Sequence, residues 1–487
     1  DVCSSDLESL MQEHLDHQTI LCVDLDGTLV NTDTLVESAL LLIKLNPLYL
    51  VAMVFWLVGG KANLKEKIAN RVSLDVTTLP YNQILLEWLQ KQLGLGRELC
   101  LVTAANQRIA HAVADHLGIF SRVVASSASN NLSARHKRDE LARLFGEGGF
   151  DYAGNSRDDL VVWSICRNAV VVNAGVAVAS RAEKIANVEA VFPRTSSEAR
   201  ALVIAMRPYQ WSKNLLVFVS ILIAHRYNEF ELLSSTIIAF LAFCLCSSAV
   251  YLINDLLDLG ADRKHREKSR RPFASGQASL LYGILAIPLL LSMAAVLAIL
   301  AGTFFTAVLL IYFIITLLYS FYFKRVVLLD VLLLSLLYTL RILAGAAVAG
   351  ELPSVWLVSF SMFMFTSLAM AKRYAELKSL ELDAGGRASG RGYRVGDLPI
   401  IAQLGVASGY ISTLVMALYV DSSDVAGIYT HQRVMWLLCP LLMYWIGRIW
   451  LIASRGELNQ DPVVFATRDK LSYLIFAIAM LTLVAAL

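Results

Sequence analysis

Leu241-Ala242-Phe243-Cys244-Leu245-Cys246-Ser247-Ser248-Ala249-Val250-Tyr251-Leu252-Ile253 is apolar enough to lie in a membrane, and it runs straight into Asn254-Asp255-Leu256-Leu257-Asp258, with Asp262 four residues on. Arg263, Lys264, Arg266, Lys268, Arg270 and Arg271 follow. Carboxylates at the end of a membrane helix are costly and are kept where they serve a polar site. Spacing of i, i+3 and i+7 puts Asp255, Asp258 and Asp262 on one helical face. Such hard oxygen ligands hold Mg²⁺ and, through it, a diphosphate, while the basic residues beyond suit phosphate oxygens. The stretch predicts a polyphosphate site at a membrane surface.

Outward from this motif the chain reads as a membrane region. Nine apolar runs are expected, at about 203–224, 233–254, 280–301, 303–323, 327–349, 355–372, 400–420, 434–453 and 471–487. Loops alternate in charge: Arg263 to Arg271 after the second run, Lys324 and Arg325 after the fourth, and Lys372, Arg373, Lys378, Arg387, Arg391 and Arg394 after the sixth, with the others nearly bare. By the positive-inside rule the basic loops and the amino-terminal region lie in the cytosol, and nine spans put the carboxyl terminus outside the inner membrane. A content of 57% hydrophobic and 17% charged residues is too apolar for a wholly soluble chain of 487 residues. A net charge of +2, with the cations gathered in loops, gives no basic face for nucleic acid. The seven cysteines, Cys3, Cys22, Cys100, Cys166, Cys244, Cys246 and Cys439, lack metal-site spacing and read as packing thiols in a reducing compartment.

Before the membrane region, strands at Ile20-Leu21-Cys22-Val23, Glu98 to Val102 and Val170 to Val172 alternate with helical stretches, which predicts an open parallel sheet wound by helices. Residues 183–200, with Pro193 and Thr195-Ser196-Ser197, read as a linker between a domain at 1–182 and a membrane domain at 201–487. An apolar stretch, Ala39 to Val58, interrupts the first domain. A span there would separate Asp24 from everything after Lys61, so a helical hairpin broken at Pro47 is expected, either the buried face of a cap (about 33–95) or an insertion dipping into the membrane interface.

Asp24-Leu25-Asp26-Gly27-Thr28-Leu29 follows the first strand and resembles the first motif of the haloacid dehalogenase superfamily. Thr103, Lys137 and Gly154-Asn155-Ser156-Arg157-Asp158-Asp159 then appear in that family's order. The resemblance implies a Rossmann-like α/β fold with a helical cap. It makes Asp24 the nucleophile that attacks phosphorus and Asp26 the acid and base two residues on. It assigns phosphate binding to Thr103 and Lys137, and Mg²⁺ binding to Asp24, the backbone carbonyl of Asp26 and the segment Asn155 to Asp159. Asn155 stands where the family has an acid, which leaves Asp159, or else Asp158, as the second carboxylate. Asp26 itself points to phosphatase rather than dehalogenase chemistry.

Asn254 to Asp262, together with Arg207-Pro208-Tyr209-Gln210-Trp211-Ser212-Lys213-Asn214 and Arg271-Pro272, resembles the UbiA prenyltransferase superfamily over essentially all of 201–487. That family's second acidic motif, DxxxD after the sixth span, is missing. Lys372-Arg373-Tyr374-Ala375-Glu376-Leu377-Lys378 stands there, with Tyr374 and Lys378 one turn apart. The pattern resembles the branch that transfers phosphoribosyl from phosphoribosyl pyrophosphate to a polyprenyl phosphate. It implies that Asn254, Asp255 and Asp258, supported by Asp262, place Mg²⁺ on the pyrophosphate. Lys213, Lys268 and Arg271 would bind donor phosphates, and Tyr374 and Lys378 the lipid phosphate. Arg341, inside the fifth run, needs a polar partner or cavity and joins the substrate-binding candidates. The first domain would remove the 5-phosphate of the lipid product. A prenyl diphosphate donor with an aromatic or lipid acceptor is the alternative enzyme, and a membrane scaffold with relic motifs the non-enzyme alternative.

Overall fold

The structure is a computed structural model that describes residues 19–127, 131–194, 197–351, 354–382, 392–422, 425, 429–458, 461–466 and 468–487. Cys3, Thr195, Ser196, Arg387 and Arg391 lie outside the described residues. The chain divides into two compact units, 1–205 with 252–285, and 206–251 with 286–487.

In the first unit, β1 (Ile20–Val23), β2 (Leu99–Asn106), β3 (Arg122–Ser126), β4 (Phe150–Gly154), β5 (Asn168–Val172) and β6 (Asn187–Phe192) form one sheet in the order β3-β2-β1-β4-β5-β6. Every neighbouring pair is parallel. Parallel strands need both faces covered, and β1, β4 and β5 are buried at every position. Alternate residues serve two cores: Leu21, Val23, Leu99 and Leu101 one, and Cys22, Cys100, Tyr152 and Trp163 the other. Helices α1 (Thr34–Leu45), α2 (Tyr49–Val58), α3 (Lys61–Ala69) and α4 (Gln83–Gly94) make the first crossover. Shorter helical connections follow: α5 (Gln107–Leu117), α6 (Ala134–Phe145), α7 (Leu160–Trp163) and α8 (Val176–Ile185). Because β1 lies between β2 and β4, the chain reverses direction across the sheet beside it, the place where open α/β sheets put their ligands.

Two expectations change here. The stretch 183–200 carries the end of α8 and all of β6, paired with β5. Its alternation of exposed and half-buried residues is that of an edge strand, which is too short and polar to stand out before Pro193. The apolar stretch 39–58 does break as expected. Asn46, just before Pro47, is extended (φ −155°, ψ 115°) and ends α1, as the residue before a proline prefers. Leu40 and Leu42 of α1 are buried, but α2 buries no residue, so it supplies no cap core.

The membrane part consists of α9 (Glu198–Ala205), a 3₁₀ segment Pro208–Phe218, α10 (Val219–Ile223), α11 (Phe230–Leu257), α12 (Leu259–Arg263), α13 (Leu280–Ala301), α14 (Thr303–Phe321), α15 (Leu329–Ala349), α16 (Val355–Leu382), α17 (Leu398–Val420), α18 (Leu438–Ser454), α19 (Pro462–Ala466) and α20 (Lys470–Ala486). Among the described residues seven helices are long and apolar enough to cross a membrane, not nine. The first expected run is broken where Arg207 takes a left-handed backbone (φ +56°) before Pro208, and the last is the 17-residue α20. In the most apolar windows of α11 and α15, 61% of the residues are buried, against 22% in α13. The first two therefore run inside the bundle and α13 faces lipid. Gly345 of α15 lies where a Cβ would strike the Val217 carbonyl, so its bare backbone lets the 3₁₀ segment approach.

Candidate active sites

At the carboxyl end of β1 the backbone turns sharply. Gly27 has φ +78°, and the Asn155 amide occupies the space a Cβ would need. Asp24 is 7% exposed, and its Oδ1 accepts from Lys137 Nζ at 2.7 Å. Lys137, buried on α6, also donates to the Tyr152 hydroxyl at 2.9 Å and stands 3.8 Å from Asp159. Thr103, fully buried on β2, accepts the Ala105 N–H through Oγ1 at 2.9 Å. Asp26 turns the other way, and its Oδ1 accepts from the Thr34 N–H at the start of α1 at 2.9 Å.

Burial pushes the Asp24 carboxyl up to about 6, against the pull of Lys137 and with the push of Asp159. Burial and the charge of Asp33 push Asp26 up to about 8. Burial alone would lower Lys137, but Asp24 and Asp159 hold it above its ordinary value. Asp159 Oδ2 accepts from the Asn155 and Ser156 N–H groups at 3.0 and 2.9 Å, and Oδ1 from Tyr152 at 2.8 Å. Its visible work is to fix the loop that presents Asn155.

The aspartate-rich motif belongs to the same unit. Helix α11 ends at Leu257 and α12 begins at Leu259, and the bonds from Asp258 N–H to the Asn254 carbonyl (2.9 Å) and from Asp262 N–H to the Asp258 carbonyl (2.8 Å) carry the helical turn across the break. Arg271 bridges Asp255 (3.1 Å) and Asp262 (2.6 Å), and Asp258 pairs with Lys44 of α1 at 2.9 Å. Burial and Asp255 raise the Asp262 carboxyl, against the pull of Arg271. Lys268 lies in the short 3₁₀ turn just before Arg271. Arg263 reaches Glu37 of α1 with two nitrogens, at 2.5 and 2.8 Å, both side chains 5% exposed or less. Removing one partner of a buried pair strands the other charge, at about 3–5 kcal/mol. Glu37→Ala and Arg263→Ala should therefore each lower the unfolding midpoint of the purified protein sharply. The double variant should fall well short of the sum of the two, which thermal unfolding of all three would check.

The second unit has a polar interior of its own. Lys213, on the 3₁₀ segment, and Lys372, on α16, each meet Asp461 Oδ2 at 2.9 Å, and the Tyr338 hydroxyl donates to the same carboxylate at 3.2 Å. Arg341 of α15 donates to Asn214 Oδ1 and to the Tyr312 hydroxyl, both at 2.9 Å, with its guanidinium over the Tyr338 ring. Tyr374 packs edge-on against Trp450 at 5.9 Å between ring centres. It thus sits in apolar packing, while Lys378 lies one turn further along α16.

Sequence reasoning missed Tyr152, Lys44, Glu37, Tyr338 and Asp461. No spacing marks them: Lys44, Glu37, Tyr338 and Asp461 meet partners across long stretches of chain, and Tyr152, though near Lys137 and Asp159 in sequence, lies in no motif. Lys372 stood inside the quoted motif, unselected.

Among the described residues no three acidic, histidine or cysteine side chains already converge as a metal cage. The donors nevertheless fit Mg²⁺, being oxygens only: Asp24, the Asp26 carbonyl and Asn155 in one place, and Asn254, Asp255, Asp258 and Asp262 in the other. Burial, which raises the Asp24 and Asp262 carboxyls, disfavours their charged forms, and a bound cation would offset that.

The UbiA prenyltransferase family matches residues 215–485, more than half of the chain, and the chain belongs to that family. A protein of Sinorhizobium fredii described as uncharacterized protein y4nM is 37% identical over 97% of this chain and 92% of its own length. A decaprenyl-phosphate phosphoribosyltransferase of Mycolicibacterium smegmatis is 30% identical over 56% of this chain and 88% of its own. The amino-terminal sheet is an open, all-parallel sheet wound by helices. A phosphoserine phosphatase crystal structure in apo form resembles it at a TM-score of 0.27 and 13% identity, over 36% of this chain and 93% of that one.

Proposed function

We propose that the chain is a bifunctional membrane enzyme whose UbiA part transfers 5-phosphoribosyl from phosphoribosyl pyrophosphate to a polyprenyl phosphate, and whose amino-terminal domain removes the 5-phosphate from the lipid product. The observation that carries the reading is the chemistry of α16. Where a two-metal prenyltransferase needs a second set of carboxylates, Lys372 and Lys378 stand instead, and Lys372 shares a buried carboxylate with Lys213. Cations there suit an anionic acceptor such as a lipid monophosphate. The similarity to the mycobacterial-type phosphoribosyltransferase supports the same substrates.

In the transfer, a lipid phosphate oxygen attacks the anomeric carbon of the ribose, the carbon–oxygen bond to pyrophosphate breaks, and pyrophosphate leaves. Asn254, Asp255, Asp258 and Asp262 would hold Mg²⁺ at the donor, and Asp24, the Asp26 carbonyl, Asn155 and Asp159 would hold it at the phosphatase site. Bound there, the ion supplies neutralisation of phosphate charge. Lys213, Lys268 and Arg271 bind donor phosphates, and Arg341 keeps Asn214, beside Lys213, in place. In the hydrolysis, Asp24 attacks phosphorus while Lys137 neutralises the phosphate oxygens. Asp26 gives its proton to the departing ribose oxygen and then takes one from the water that cleaves the aspartyl-phosphate. Both sites lie at the cytosolic face in this reading, because the basic loops do.

Reconstituted protein given polyprenyl phosphate with labelled phosphoribosyl pyrophosphate should form a labelled lipid. Label entering product only from a prenyl diphosphate would replace the reading by ordinary prenyl transfer. Lys378→Ala should raise the KM for polyprenyl phosphate roughly ten- to a hundredfold, the loss of one charge-assisted hydrogen bond. The KM for phosphoribosyl pyrophosphate should hardly move, and an effect confined to that donor would reassign Lys378.

A further inference from the structure

Helix α2 has the sequence Tyr49-Leu50-Val51-Ala52-Met53-Val54-Phe55-Trp56-Leu57-Val58, without a charged or amide side chain, and it buries none of them. Leu48 just before it is 73% exposed, Val54 63%, Phe55 69% and Val58 86%. Apolar side chains left in water forgo the favourable transfer that burial gives, so a contiguous helix of them requires a cover.

Its surroundings in the same unit say what the cover is. Lys44, in the last turn of α1, pairs with Asp258, the residue immediately after the membrane helix α11. Five residues of chain reach at most roughly 18 Å, so α2 begins near the level at which α11 leaves the membrane. The same unit includes the start of α13, where Leu281, Tyr282 and Leu285 are 51–57% exposed on a helix apolar enough to cross a bilayer.

The helix itself is built for an interface. Its ten residues span about 15 Å, half of a hydrocarbon core, so it cannot cross. Gly59 and Gly60 then turn the chain back, because Lys65 on the next helix donates to the Ala104 carbonyl at the end of β2. Cations sit only at its ends, Lys44 before it and Lys61 after it, and Arg71 stacks on Trp56 at 4.6 Å. Aromatic rings with basic neighbours are the usual anchors at headgroup depth.

We infer that α2 is an interfacial helix that beds in the lipid bilayer beside the end of α11, so that phospholipid covers it. The cap helices on either side of it, α1 and α3, line the small cleft at Thr34, Lys65 and Asn106 next to the Asp26 loop. The bilayer thus meets the cap directly. This placement stands whatever the phosphatase or the transferase acts on.

The test uses the full chain reconstituted in vesicles of labelled phospholipid, with a photoreactive benzophenone side chain replacing Phe55, Val58 or, as a control, the exposed Gln90 of α4. Illumination should attach lipid label at Phe55 and at Val58 and little at Gln90. Two probe positions guard against one replacement disturbing the helix. Adducts to protein at both positions, labelling no greater than at Gln90, or no adduct at either would overturn the inference.

Discussion

Asp24→Asn is expected to leave transfer running and to stop dephosphorylation, so that the lipid accumulates as the 5-phosphoribosyl species where wild type yields the ribosyl lipid. The amide has the shape of the carboxylate and can still accept from Lys137, whose charge keeps Asp159 as a neighbour at 3.8 Å, so the site should keep its geometry. What disappears is the nucleophile. Removing the nucleophile of a covalent mechanism typically costs more than a thousandfold in turnover, far beyond any effect of the lost buried charge on stability. Mass spectrometry of lipids made from phosphoribosyl pyrophosphate and polyprenyl phosphate reads the outcome directly. A phosphatase tethered to the transferase meets a membrane-bound product at high effective concentration, which is why fusion of the two has a chemical purpose. If wild type and Asp24→Asn yield the same lipid, the first domain serves some other phosphate ester.

The parts of the fold that could be read in advance are those set by local pattern. The strand Ile20–Val23 followed by Asp24-Leu25-Asp26-Gly27 locates the centre of the sheet, because continuous burial and a tight acidic turn are both written in adjacent residues. Pro47 likewise announces the break between α1 and α2. What escaped depends on pairing at a distance or on a broken element. The strand Asn187–Phe192 gains its identity only from β5 beside it. The run at 203–224 has the composition of a span, but Arg207-Pro208 and the polar side chains of Lys213 and Asn214 turn it into a 3₁₀ segment. Lys213 was singled out from its motif, whereas Asp461, which holds it, lies 248 residues away with no motif around it. Glu37 and Lys44 stand in no motif; only the fold shows them gripping Arg263 and Asp258.

Asp255→Ala and Asp258→Ala should each abolish transfer while leaving the Asp24-dependent phosphatase activity toward a soluble phosphate ester in place. Both residues are proposed Mg²⁺ ligands at a single-metal diphosphate site, and such a site has no second cation to compensate when a ligand is lost. Loss of an electrostatic contact made in the transition state typically costs about 10²–10³ in turnover, so residual rates should sit near the limit of detection. The two variants should nevertheless differ in stability. Asp255 is 2% exposed and shares Arg271 with Asp262, so its removal leaves Arg271 one buried partner and should cost little of the fold. Asp258 is a quarter exposed, and its pair with Lys44 is the weak, screened kind worth at most about 1 kcal/mol. That makes Lys44→Ala the informative companion. It breaks the same ion pair without touching the proposed ligand set, so it should retain transfer, and its Mg²⁺ requirement should fall rather than rise if Lys44 competes with the ion for Asp258. Undiminished turnover of Asp258→Ala in the presence of Mg²⁺ would remove Asp258 from the metal site. Equal loss in Asp258→Ala and Lys44→Ala would show instead that the ion pair, and not the cation, is what transfer needs at this position.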